Sequence, residues 1–115
     1  MPPEKTEAEL PSWRYPDRPT AGRFEGAEHA SEVSFHVIDM TDGQGPDLHT
    51  HPYSETFVLL EGRGRFALGE EWIEAEAGQV VVAPAGTPHG FKAMGPERLK
   101  AITIHAAPAM DTAWV

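Results

Sequence analysis

No part of this chain sustains a helical period for long, and proline and glycine, eleven of each in 115 residues, break it up. Proline fixes φ and removes an amide donor, while glycine enters the turn conformations that other residues avoid. Between these breakers lie short strand-like runs: VSFHVIDM (33–40), FVLL (57–60), GRFAL (64–68), WIEAEA (72–77), VVVA (80–83) and the alternating LKAITIH (99–105). Short strands with regular turn signals predict an all-β antiparallel sandwich or barrel. The length suits one domain with one modest core, for which Phe35, Phe57, Phe66, Phe91 and Trp72 are the expected large members.

Several classes of function fall away early. The formal charge of −9, with nine basic residues scattered, argues against nucleic acid and anionic membrane surfaces, which both call for a basic patch. No apolar run approaches the roughly 18 residues of a membrane span, and the first residues read as no signal peptide. There is no cysteine, so a metal site here must use nitrogen and oxygen ligands, and the chain is compatible with a reducing, cytoplasmic setting.

Residues 1–22 hold five of the eleven prolines, Pro2, Pro3, Pro11, Pro16 and Pro19, and are read as an extended N-terminal arm ahead of a barrel domain over 23–115. Trp13 and Tyr15 are the arm's large apolar groups, expected to dock on the barrel or on a neighbouring subunit. At the other end, PAMDTAWV (108–115) is expected to trail off after the last strand, and Glu70–Glu76 to be a solvated strand face.

The chemistry concentrates in GQGPDLHTHPYSETFVLLEG (43–62) and GQVVVAPAGTPHGF (78–91). Residues i and i+2 of a strand share a face, so His49 and His51 present two imidazoles side by side. Pro52 bends the chain, and Glu55 then shares a face with Phe57 and Leu59, where an unpaired carboxylate is costly and coordination removes the cost. The turn PAGTPH delivers His89 from elsewhere in the fold. Such a set leaves positions open on a metal ion, as in non-haem iron sites. His36 in a strand, Tyr53 between the ligands and His105 at the end of LKAITIH are the candidate proton-transfer groups, with structural hydrogen bonding as the competing role for both histidines. His29 is read as exposed in a polar turn.

These two segments resemble the two cupin signatures. The first is matched at Gly43, His49, His51, Glu55 and Gly62, the second at Gly78, Pro84, Gly86 and His89, with fifteen residues between Gly62 and Gly78. The asparagine that usually ends the second signature is replaced by Ala93; it is not a ligand position. The resemblance implies a double-stranded β-helix, a jelly-roll barrel. It also implies that His49, His51, Glu55 and His89 hold one divalent ion, iron, manganese, nickel, zinc, copper or cobalt, and that two chains pair through exchanged N-terminal strands. The expected function is a metal-dependent oxygenase acting on a small organic molecule. The alternatives are a redox-neutral isomerase, lyase or polyketide cyclase using the metal as a Lewis acid, and a non-catalytic small-molecule binding module.

Overall fold

The computed structural model describes residues 14–115; Trp13 and the rest of the arm before it lie outside the described residues. The strands are β1 (Arg14–Tyr15), β2 (Arg18–Phe24), β3 (Ser34–Met40), β4 (His49–Thr50), β5 (Glu55–Glu61), β6 (Arg63–Leu68), β7 (Glu71–Glu76), β8 (Val80–Ala83), β9 (His89–Met94), β10 (Leu99–His105) and β11 (Ala113–Trp114), with one short 3-10 turn, Gly26–His29. They form two antiparallel sheets, β1-β2-β3-β10-β5-β8 and β11-β4-β9-β6-β7. This is the double-stranded β-helix expected from the sequence. Strand β2 crosses the boundary drawn at residue 22, laying the described part of the arm along the sheet as β3's neighbour.

The pleat and the register divide the barrel interior into two zones. His105 pairs with both Ser34 and Glu55, and Thr103 with His36 and Phe57. Ala101 then pairs with Ile38 and Leu59, and Leu99 with Met40. The inward positions of β3, β10 and β5 therefore run from polar at one end to apolar at the other. The facing strand β9 runs the same way, from His89 through Phe91 to Ala93, all buried. Phe57, Leu59, Phe66, Phe91, Leu99 and Ala101 close the apolar end, each large side chain contributing about 1.5–3 kcal/mol by burial. Phe57, Phe66 and Phe91 form a ring cluster with centroids 5.2–5.6 Å apart.

Turn glycines let the strands reverse. Gly62 joins β5 to β6 at φ +74°, and a Cβ there would sit 2.3 Å from the Arg98 carbonyl oxygen. Strain and contact both select glycine.

Two expected core aromatics are not in the core. Trp72 is 56% exposed. Ile73 and Ala75 take β7's inward positions opposite Phe66 and Gly64, so alternation turns Trp72 outward, where the Arg65 guanidinium covers its ring at 4.6 Å. Phe35 lies on the outer face of β3 and stacks on Phe24 at 4.7 Å. His29 stacks on the same ring at 4.6 Å and is half-buried rather than exposed. Residues 71–76 are solvated as expected, except for Ala75.

Candidate metal centre

The sharp break between β4 and β5 is what assembles the site. His49 sits on β4 opposite His89 of β9, joining the two signatures by one register pair. His51 follows just beyond β4, and Pro52–Ser54 turns the chain into β5, which opens on Glu55. The loop before β9 is tied to the same corner, because the Gly86 amide donates to the His51 carbonyl at 2.8 Å. The ligand atoms of His49, His51, Glu55 and His89 lie within 4.8 Å of one another, and all four residues are buried.

The hydrogen bonds decide which nitrogen each histidine presents. His49 Nδ1 donates to the Asp47 carbonyl at 2.7 Å, His51 Nδ1 to that of Asp111 at 2.8 Å, and His89 Nδ1 to that of Thr87 at 2.8 Å. A carbonyl only accepts, so each Nδ1 carries the proton, and a neutral ring offers its lone pair at Nε2. His51 and His89 both point Nε2 at the same oxygen, Glu55 Oε1, at 3.0 Å. Lone pairs facing a carboxylate oxygen repel unless a proton or a cation lies between them. Three such imidazoles around one carboxylate therefore fit a divalent ion by their donor chemistry.

The electrostatics agree. Burial holds His49 below the ordinary histidine value, aided by repulsion from His89 and His51 and opposed by the Asp47 carbonyl. Burial works against the ionisation of Glu55, but the imidazoles of His105 and His89 outweigh it and keep the carboxyl well below the usual range. For His89, burial lowers the value, but the Glu55 carboxylate and the Thr87 carbonyl raise it above the ordinary one, so without a cation a proton on Nε2 is favoured between His89 and Glu55.

The other three candidates lie close by. Tyr53 stacks flat on His51, with rings 5.0 Å apart and 6° between their planes. Its hydroxyl accepts the Asp111 amide at 3.1 Å, so its own proton goes to His105 Nδ1 at 2.7 Å. His105 is thereby set in the opposite tautomer to His49, His51 and His89, with its proton on Nε2. That nitrogen is 3.2 Å from Glu55 Oε2, close enough for attraction but off line for a hydrogen bond. His36 meets His105 edge-on at 5.3 Å. Burial, then repulsion from His105, lowers its pKa to about 4, so it is neutral near pH 7. Burial raises the Tyr53 phenol above its ordinary value.

A cavity of about 620 Å³ opens onto His49 and Glu55 and is walled by His36, His105 and Thr103. The segment 106–115 does not trail off. Strand β11 pairs with β4, Trp114 opposite His49, and Met110, Thr112 and Trp114 line the cavity. Arg18, Arg23 and Thr103 also line it and were missed. The arginines come from the proline-rich arm and its continuation, and the alternation of LKAITIH was the one signal for Thr103.

Comparison with known proteins agrees with this geometry. A search of curated proteins found no match. Among solved structures, an uncharacterised conserved protein with a double-stranded β-helix domain from Klebsiella pneumoniae is similar over 99% of this chain and 98% of its own, at 20% identity and TM-score 0.74. A cupin superfamily protein from Desulfitobacterium hafniense is 18% identical over 67% of this chain and 69% of its own, with TM-score 0.62. Oxalate decarboxylase from Bacillus subtilis is 17% identical with TM-score 0.74; the similarity covers 83% of this chain but 27% of that enzyme. These likenesses concern the fold. The family model described as the cupin domain matches residues 36–105, more than half of the chain. With that match and a buried His-His-Glu-His group in a double-stranded β-helix, the chain belongs to the cupin domain family.

Proposed function

We propose that this protein is a metal-dependent oxygenase acting on a small organic molecule. The observation that carries the reading is the ligand set itself: three imidazoles, each fixed by a backbone carbonyl to present Nε2, gathered with Glu55 beside a cavity of about 620 Å³. His49, His51, Glu55 and His89 would hold one divalent ion, for which iron, manganese, nickel, zinc, copper and cobalt all suit nitrogen and oxygen donors. Bound there, the ion supplies a centre at which an oxygen-bearing substrate and O₂ meet. The chain's own contribution is to bind, orient and exchange protons. His36, neutral in the wall, is placed to accept a proton, and Tyr53 and His105 form a hydrogen-bonded pair that can exchange one.

One observation favours a second reading. An unprotonated His36 beside His105 is the equipment of proton abstraction, which a redox-neutral isomerase, lyase or cyclase requires. Anaerobic purification, elemental analysis and O₂ uptake with small phenols, diketones and acids separate the two. Stoichiometric metal with substrate-dependent O₂ consumption supports the oxygenase. Metal-dependent turnover without uptake overturns it in favour of the redox-neutral enzyme, and metal-dependent binding without turnover in favour of a binding module.

We include a homodimer in the proposal. The outer face of the six-stranded sheet carries Val58, Leu60, Val80, Val82, Ile102 and Ile104, with Leu60, Val80 and Val82 exposed by 53%, 59% and 49%. A second copy against this flat apolar face would remove it from water.

A further inference from the structure

Two arginines line the cavity, in a chain of formal charge −9. Arg18 and Arg23 line it from β2. Arg18 lies over the Tyr15 ring at 5.1 Å and has no carboxylate partner among the described residues. Arg23 is held by Glu25 through Nη2 alone, at 2.7 Å. The carboxylates lining the same cavity are engaged elsewhere: Glu55 belongs to the ligand group, and Asp39 is bound by Thr20 and Arg98.

The register fixes how the two ends face each other. Glu55 on β5 neighbours His105 on β10, Thr103 pairs with His36 on β3, and His36 pairs with Arg23 on β2. From β5 to β2 is three strand spacings, about 14 Å, and the arginine side chain spans part of that gap. Between the ends, Thr103 lines the cavity as a buried residue, 2% exposed.

We propose that the cavity takes an organic monocarboxylate end to end. An oxygen-bearing head sits at the ligand quartet, and the carboxylate is gripped by Arg18 and Arg23. Phe91, Met110 and Trp114 supply the apolar sides. This rests on the metal reading above. Guanidinium forks match carboxylate oxygens two by two. Glu25 already offsets part of Arg23's charge, so the wall suits a monoanion better than a phosphate dianion.

The test uses three hydroxamates of one chain length: adipic monohydroxamate, its methyl-ended analogue hexanehydroxamate, and the phosphonate-ended analogue. The hydroxamate addresses the metal and the far end probes the arginines. Calorimetric titration of the purified full chain should show the carboxylate probe binding at least about tenfold tighter than hexanehydroxamate. The double variant Arg18→Gln/Arg23→Gln should erase that difference while binding hexanehydroxamate as the native protein does, which also shows that it is folded and loaded. Equal affinities in the native protein, or a preference that survives in the double variant, overturn the assignment; tighter binding of the phosphonate overturns it in favour of a phosphate ester. Metal content measured on the same samples separates the failures. Metal present without carboxylate preference removes only the anion assignment. Absence of metal removes the centre and this proposal with it.

Discussion

Replacing Tyr53 with phenylalanine removes a single oxygen, and the structure says where the loss will be felt. The hydroxyl makes two hydrogen bonds, donating to His105 Nδ1 at 2.7 Å and accepting the Asp111 amide at 3.1 Å. The ring's flat stack on His51 is kept. The Asp111 amide is exposed and regains water, so the stability loss comes mainly from the bond to His105, about 1 kcal/mol. The larger effect is on the metal. Without the hydroxyl, His105 is free to move its proton to Nδ1, and Glu55 Oε2 then faces a lone pair at 3.2 Å instead of an N–H. Removing a partner that orients a ligand in this way weakens metal binding about tenfold or more. Chelator competition with Zn²⁺ measures that, and urea unfolding of the metal-free protein measures the stability term separately. His105→Phe removes the same contact directly, so adding Tyr53→Phe to it should cost little more. A zinc affinity for Tyr53→Phe within about twofold of native would refute the argument that the tyrosine acts through His105 on Glu55.

Four further outcomes are expected. His51→Ala abolishes stoichiometric metal binding by elemental analysis, and full occupancy in that variant would show that His51 is not a ligand. Gly62→Ala, at φ +74° with a Cβ 2.3 Å from the Arg98 oxygen, lowers stability to urea by about 1–3 kcal/mol. His36 ionises near 6.5 in the unfolded chain and near about 4 when folded. The unfolded state thus binds the extra proton between those values, and stability falls as pH drops through this window, by about 3 kcal/mol at most. His36→Phe should flatten that part of the stability–pH curve. Leu60→Glu with Val82→Glu, on the outer face of the six-stranded sheet, should yield monomers by sedimentation; an unchanged profile would remove that face from the dimer.

The quartet His49, His51, Glu55 and His89 was legible as a group because the information lies in local spacing. Alternation along a strand pairs His49 with His51, Pro52 sets the turn that brings in Glu55, and Pro84 with Gly86 the one that brings in His89. Trp72 was misread because size was taken as a sign of burial, whereas the face was set by its neighbours Ile73 and Ala75 opposite Phe66 and Gly64. The basic wall was not legible at all. Arg23 meets His36 only through the β2–β3 register, and nothing near RPTAGRF announces a cavity. The segment 106–115 was dismissed because its alanine-rich run, broken by Pro108, carries no strand period, yet its backbone holds His51 and Tyr53 in place.

That backbone contact makes the end of the chain part of the quartet. The His51 tautomer is set by the Asp111 carbonyl, sixty residues further along, and the pairing of β11 with β4 lays Trp114 against His49. Two of the four side chains are therefore held from the same closing segment: undoing it frees His51 to choose between its two tautomers and uncovers His49 at one stroke.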